Sequence, residues 1–162
     1  SKSYAMTGWR IGFTAAPGAV AKCISALQSH MTSNPNSIAQ KATVAALDGS
    51  QQCVEEMRKE FKKRRDYIFQ RQEAIPLLDA LKPEGAFYLF VDVSKTYGKK
   101  MGAKQIQSAA DFAQVLLEEK YVAVVPCADF GMPDYIRLSY ATSMELIQKG
   151  MDRIEELIKA LQ

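Results

Sequence analysis

The chain has 162 residues, 48% apolar and 24% charged, which is the balance of a soluble globular protein long enough for one ordinary core or a domain plus part of another. A net charge of +3 is too small to imply a nucleic-acid partner, no apolar run approaches a membrane span, and no basic region with a following apolar stretch opens the chain. The three cysteines, Cys23, Cys53 and Cys127, lack metal-ligand spacing and are odd in number, which argues for reduced thiols in a cytoplasmic protein, and the single histidine, His30, reads as a helix-surface residue with no metal role.

In chain order, Ser1-Lys2-Ser3-Tyr4-Ala5-Met6-Thr7-Gly8-Trp9-Arg10-Ile11-Gly12 sets a lysine among small and polar residues, with an arginine eight positions later. Residues 9–16 read as a short strand, closed by the Pro17-Gly18 turn. Val20, Ile24 and Leu27 predict a helix over 18–30. Thr32 to Ser37 are turn formers and potential caps, followed by an alanine-rich helix from about Ile38 to Leu47 that Asp48-Gly49 stops. Val54, Met57, Phe61, Ile68 and Ile75 recur at threes, fours and sevens and predict a long helix over 51–75. Its basic run, Arg58 to Arg65, reads as a solvated face, because no aromatic platform or nucleic-acid module accompanies it.

After Pro76 the composition shifts to an α+β module. Lys82-Pro83-Glu84-Gly85 is a turn, and Ala86 to Val93 an apolar, aromatic strand expected to be covered on both faces. Residues 94–107, polar and lysine-bearing, read as a mobile surface loop, with a lid over a substrate as the functional alternative. Ser108 and Asp111 mark the start of a helix to Lys120, with Phe112, Val115 and Leu116 as its apolar stripe. Tyr121 to Val125 read as a strand ending at Pro126. Residues 134–141 read as another, with Ile136, Leu138 and Tyr140 on one face and Tyr135, Arg137 and Ser139 on the other. Thr142 and Glu145 fit a capping box before a final helix carrying Ile147, Met151, Ile154, Ile158 and Leu161. The predicted fold class is α+β: a small-domain sheet covered by helices, preceded by a long helix, with residues 1 to about 50 reading as the last piece of a different, larger domain. The expected division is 1–50 for the larger-domain piece, 51–75 for the long helix and 76–162 for the small domain.

Four strings carry a resemblance. Ser1 to Gly12 resembles the pyridoxal-phosphate attachment segment of class I aminotransferases, the fold-type I family that includes aspartate aminotransferase. Ser33-Asn34-Pro35-Asn36 followed by Gln40, Gly85-Ala86-Phe87-Tyr88, and Arg137 followed by Leu-Ser-Tyr-Ala are similar to segments of the same family. The resemblance implies that Lys2 is catalytic and carries pyridoxal 5'-phosphate as an imine, which a lysine forms only as a free amine. It implies that Arg10 clamps the cofactor's phosphate, for which a planar guanidinium fork is suited. The loop with Asn34 would lie at a dimer interface near the neighbouring subunit's cofactor; from its residues alone it is equally a plain interhelical loop.

From the residues alone, a guanidinium within an apolar strand needs an anion, and for Arg137 that anion could be a structural carboxylate. The resemblance implies instead that Arg137 binds the substrate's α-carboxylate, orienting the amino acid against the imine. The implied activity is transamination between an amino acid and a 2-oxo acid, most like aspartate aminotransferase, by a homodimer. The freed Lys2 amine moves the α-proton, and the cofactor ring acts as electron sink. Aromatic, alanine and kynurenine aminotransferases stay open within the enzyme class, as does a non-catalytic binding protein that keeps the small domain. The resemblance covers essentially all 162 residues but only the carboxy-terminal portion of a family member. The chain is therefore expected to be a fragment, folded but catalytically silent alone.

Overall fold

A computed structural model describes all 162 residues, Ser1–Gln162, and they divide into two units, Ser1–Arg58 and Lys59–Gln162. The first unit opens on a succession of tight turns. The Met6 N–H donates to the Ser1 carbonyl at 2.7 Å, Ala5 to Lys2 at 3.2 Å and Trp9 to Met6 at 3.1 Å. Ala5 and Arg10 both take left-handed backbone, with φ of 52°. A 3-10 turn covers Thr7–Trp9.

The strand expected over 9–16 does not form: the backbone from residue 10 to 17 is irregular and belongs to neither sheet. An apolar string becomes a strand only when a neighbour takes up its N–H and C=O groups, and this unit holds no such neighbour. Helices α1 (Gly18–Met31) and α2 (Ser37–Asp48) follow the predicted spans closely. Asn36 caps α2 by accepting from the N–H groups of Ile38 at 2.9 Å and Ala39 at 3.1 Å, the role its turn cluster suggested. Helix α3 (Gln52–Glu73) is continuous, and the boundary between the units falls within it. Its basic run is solvated only in part: Arg58, on Glu55 at 2.7 Å, and Lys63 are exposed, whereas Arg64, on Glu60 at 3.1 Å, and Arg65 are each only 21% exposed.

The second unit continues with β1 (Asp79–Ala80), β2 (Tyr88–Asp92), the hairpin of β3 (Lys100–Met101) and β4 (Lys104–Gln105), helix α4 (Ala109–Lys120), β5 (Val125–Pro126), β6 (Tyr135–Ser139) and helix α5 (Met144–Ala160). The main sheet has the order β1-β2-β6-β5, every pair antiparallel. Leu89 stands opposite Leu138 and Val91 opposite Ile136, all four on the buried face. Against them lie Phe112 and Leu116 of α4, Ile147, Met151, Ile154 and Leu157 of α5, and Ile68 of α3. The spacing of the α5 residues, at fours and threes, is what turns one stripe of that helix to the sheet. The fold is α+β, as expected.

Strand β2 is buried on one face, because this antiparallel sheet carries its helices on one side; Tyr88, Phe90 and Asp92 on the other face are half-buried. Residues 94–107 are a tied-down hairpin after a 3-10 turn at Ser94–Thr96, with Thr96 and Ile106 fully buried. Lys100 and Gln162 exchange two backbone hydrogen bonds across it, at 2.9 and 3.1 Å. Gly98 and Gly102 supply the positive φ its turns need. Strand β5 begins only at Val125, because Tyr121 takes φ 56° to cap α4. Ser143, not Thr142, caps α5, its Oγ accepting from Leu146 N–H at 3.3 Å. No helix is long and apolar enough to cross a membrane, and the three cysteines are unpaired.

Candidate active site

Lys2 sits within the opening turns of the first unit, exposed, and its amine makes no hydrogen bond or ion pair. The turns around it are pinned. The Ser1 hydroxyl donates to the Ile11 carbonyl at 2.6 Å, and the Tyr4 hydroxyl to Gln51 Oε1 at 2.7 Å. Gln51 is itself fixed, its Nε2 donating to the carbonyls of Ala46 at 3.1 Å, Leu47 at 3.3 Å and Gly49 at 2.9 Å at the end of α2. Those carbonyls have no partner further along the helix, so one amide both closes α2 and holds the lysine turn.

Arg10 is exposed in the same unit. One of its terminal N–H groups donates to the Thr7 carbonyl at 3.0 Å, which leaves the rest of the fork open. It lines a cleft of about 700 Å³ together with Asn34, and a second of about 630 Å³ that also includes Gly8 and Asn36. Arg10 and Asn34 are thus brought to one cavity, while Lys2 lines neither. The Asn34 loop is folded on itself, with Asn34 Nδ2 and Gln40 Nε2 both donating to the Pro35 carbonyl at 3.2 and 2.8 Å.

Arg137 belongs to the second unit, at the middle of β6, opposite Phe90 of β2 on one side and Val125 of β5 on the other. It is half-buried on the outward face, as the alternation of β6 required. Its guanidinium carbon lies over the Tyr88 ring, 4.4 Å from the centroid, and over the Phe130 ring at 5.1 Å. No carboxylate among residues 1–162 pairs with it. Beside it, burial pushes the Cys127 thiol up, against a smaller opposing pull from the Arg137 charge. Sequence reasoning missed Tyr88 and Phe130 as partners. The period-two face of β2 offered a signal for Tyr88; Phe130, on a 3-10 turn, offered none.

A pyridoxal phosphate site needs an amine free for covalent attachment and a cation with open donors for the phosphate. Lys2 and Arg10 meet those needs, and at Gly8 and Gly12 nothing lies within 4 Å of where a Cβ would stand, so the backbone there is open to close approach. The donor types fit the group, while Lys2 and Arg10 share neither cleft.

The sequence profile of the family described as aminotransferase class I and II matches residues 1–154. An aspartate aminotransferase from Bacillus sp. (strain YM-2) is 45% identical over 159 residues, 98% of this chain and 40% of the relative. A probable aspartate/prephenate aminotransferase from Rickettsia prowazekii is 43% identical over 162 residues, 99% of this chain and 41% of the relative. Among solved structures, an aspartate aminotransferase from Rhizobium meliloti superposes with a TM-score of 0.95 at 41% identity, covering 99% of this chain and 40% of that one. An aromatic aminotransferase from Pyrococcus horikoshii reaches 0.88 at 37% identity, covering 98% and 41%. The chain thus spans about 40% of the length of the relatives it matches. Because the profile match runs through both units almost to the end of α5, the chain belongs to the class I and II aminotransferase family.

Proposed function

We propose that this chain is the carboxy-terminal portion of a pyridoxal-phosphate-dependent aminotransferase that exchanges an amino group between an amino acid, aspartate first among the donors, and a 2-oxo acid. The observation that carries the reading is Arg137, a half-buried guanidinium with no counter-charge, in a chain whose Lys2 amine is equally unengaged. Residues 1–50 belong to the cofactor-binding domain, 51–75 to an interdomain helix and 76–162 to the small domain. The Asn34 loop faces the second subunit of a homodimer, and the free thiols suit the cytoplasm.

The cofactor, when bound, supplies the electron sink at the substrate's α-carbon. Lys2 holds it covalently, and its amine, once released, takes the α-proton and returns it as general base and acid. Arg10 receives the phosphate on its open fork. Arg137 accepts the α-carboxylate in a two-point contact that fixes the direction of the Cα–H bond. The names of the Rickettsia and Pyrococcus relatives favour a ring-bearing substrate as the second reading.

The test uses the full-length protein loaded with pyridoxal phosphate. Borohydride reduction and peptide mapping should place the label on Lys2, and a label on any other lysine ends the assignment. Arg137→Ala should lower kcat/KM for the amino acid by about 2–4 kcal/mol with cofactor loading intact. The 162-residue chain alone should show no transamination from aspartate or aromatic donors; turnover by it would overturn the fragment reading.

A further inference from the structure

We propose that Tyr88 and Phe130 are positioning residues that hold the Arg137 guanidinium ready for a substrate carboxylate. The proposal rests on the reading of Arg137 as the carboxylate-binding residue. An arginine at the surface of a sheet is ordinarily fixed by an ion pair, and such a pair consumes the N–H donors that a substrate would need. Arg137 has none; its guanidinium lies instead over two aromatic rings, at 4.4 and 5.1 Å, both within the range of cation–π attraction. Rings attract the cation through its face and leave the in-plane N–H groups unspent. The charge is thus held in place while the fork that matches a carboxylate stays free.

The two rings are supported differently. Tyr88 is two residues along β2 from Phe90, the residue directly opposite Arg137, so it is the diagonal neighbour on the same face. Its ring packs on Phe87 at 4.5 Å, Phe87 on Phe61 at 6.3 Å, and Phe61 on the buried Tyr140 at 6.3 Å. This chain of rings ties Tyr88 to the core of the second unit. The Tyr88 hydroxyl makes no hydrogen bond within this chain, so its contacts here are those of the ring. Phe130 is 56% exposed, held by a 3-10 turn in which its N–H donates to the Cys127 carbonyl at 3.0 Å and Gly131 takes φ 76°. An apolar ring so exposed contributes little to a core, and its contact with Arg137 gives it a role. A lysine ammonium in the same place would lack the planar group that stacks, so the pair of rings also favours arginine here.

The test is a mutant cycle in the full-length enzyme, reading KM for the amino acid, kcat, cofactor loading and thermal midpoint. Tyr88→Leu and Phe130→Leu should each raise KM about three- to fivefold with a smaller change in kcat and normal loading. Tyr88→Phe keeps the ring and should restore KM to within about twofold. In an Arg137→Ala background neither ring substitution should raise KM further, because the rings act through the guanidinium. Phe130→Leu alters an exposed side chain and keeps the test informative if Tyr88→Leu fails to fold. Ring effects of the same size with and without Arg137 overturn the proposal. So does an unchanged KM in both leucine variants when Arg137→Ala raises it, and the carboxylate reading then still stands. An unchanged KM in Arg137→Ala itself sinks that reading and this proposal together.

Discussion

The Tyr97 phenol donates to Asp134 Oδ1 at 3.0 Å from a half-buried position, and burial first, then this carboxylate, pushes its pKa up to about 12. An unfolded tyrosine titrates near about 10, so the folded state keeps this proton to higher pH than the unfolded state does. The stability this group contributes is fully present below about pH 10 and is lost as pH rises through about 12. Burial raises Tyr140 and Cys127 in the same direction, so they add to the alkaline decline. We predict that urea midpoints fall steeply for the parent chain between about pH 10 and about pH 12, and less steeply for Tyr97→Phe. Parallel declines for the two would remove Tyr97 from the account. Nothing in the sequence pairs Tyr97 with Asp134, because the contact spans 37 positions. The outward direction of Arg137 was legible, because alternation along a strand is a local property. Its aromatic partners were not, since one comes from another strand and the other from a turn.

Helices state their own hydrogen-bond partners within four residues, and α1 to α5 were accordingly readable from spacing and turn residues. Strands do not, and the two spans that failed, 9–16 and 121–124, are apolar strings whose backbone finds no neighbour in a sheet. The hairpin of β3 and β4 escaped for another reason: its strands are two residues each and carry lysines, and its anchor is the buried Ile106 just beyond them. Lys104 of β4 in turn bonds Glu118 and Glu119 of α4. The helix caps give a graded prediction. Ser108 Oγ accepts from Asp111 N–H at 3.1 Å while Asp111 Oδ2 accepts from Gln107 N–H at 3.0 Å, so two backbone donors at this helix start are satisfied. Ser143 offers a single bond of 3.3 Å at an exposed site. Ser108→Ala should therefore cost about 1 kcal/mol and Ser143→Ala about half of that, measured by chemical denaturation. The reverse order would mean that these bond lengths do not rank the caps. At Gly49, a Cβ would stand 2.7 Å from the Ala45 carbonyl oxygen, so Gly49→Ala should loosen the end of α2 where Gln51 docks. The visible consequence would be faster amide exchange around Tyr4 and Lys2, and unchanged exchange there would count against the Gln51 anchor.

The two units differ sharply in what holds them. Within Ser1–Arg58 the one buried hydrophobic side chain is Ala39, and Val20, Ile24, Leu27 and Met31 leave the apolar stripe of α1 open to solvent, Met31 at 69%. Within Lys59–Gln162 the buried hydrophobics, Ala113 and Cys127 apart, form one continuous cluster around β2, β6, α4 and α5. A fully buried aliphatic side chain contributes about 1.5–3 kcal/mol, and ordering a residue's backbone costs about 1–2 kcal/mol. The first unit therefore lacks the burial to offset its own ordering, and the second has it. We predict that the isolated 162-residue chain folds cooperatively from about residue 59 onward while its first fifty residues open readily. Hydrogen exchange should show α1 and α2 amides exchanging orders of magnitude faster than those of β6 and α5. Limited proteolysis should cut first among residues 1–50 and leave a resistant piece that still melts in one transition. Ile154→Ala, at 2% exposure in the larger core, should lower that transition by about 2–5 kcal/mol, while Leu27→Ala on the open stripe should barely move it. The exposed stripe also favours self-association, so protection of α1 that grows with protein concentration would fit the same account. Equal protection of α1 and α5 in dilute, monomeric chain would not: it would mean that the first unit is stabilised by something other than buried apolar surface.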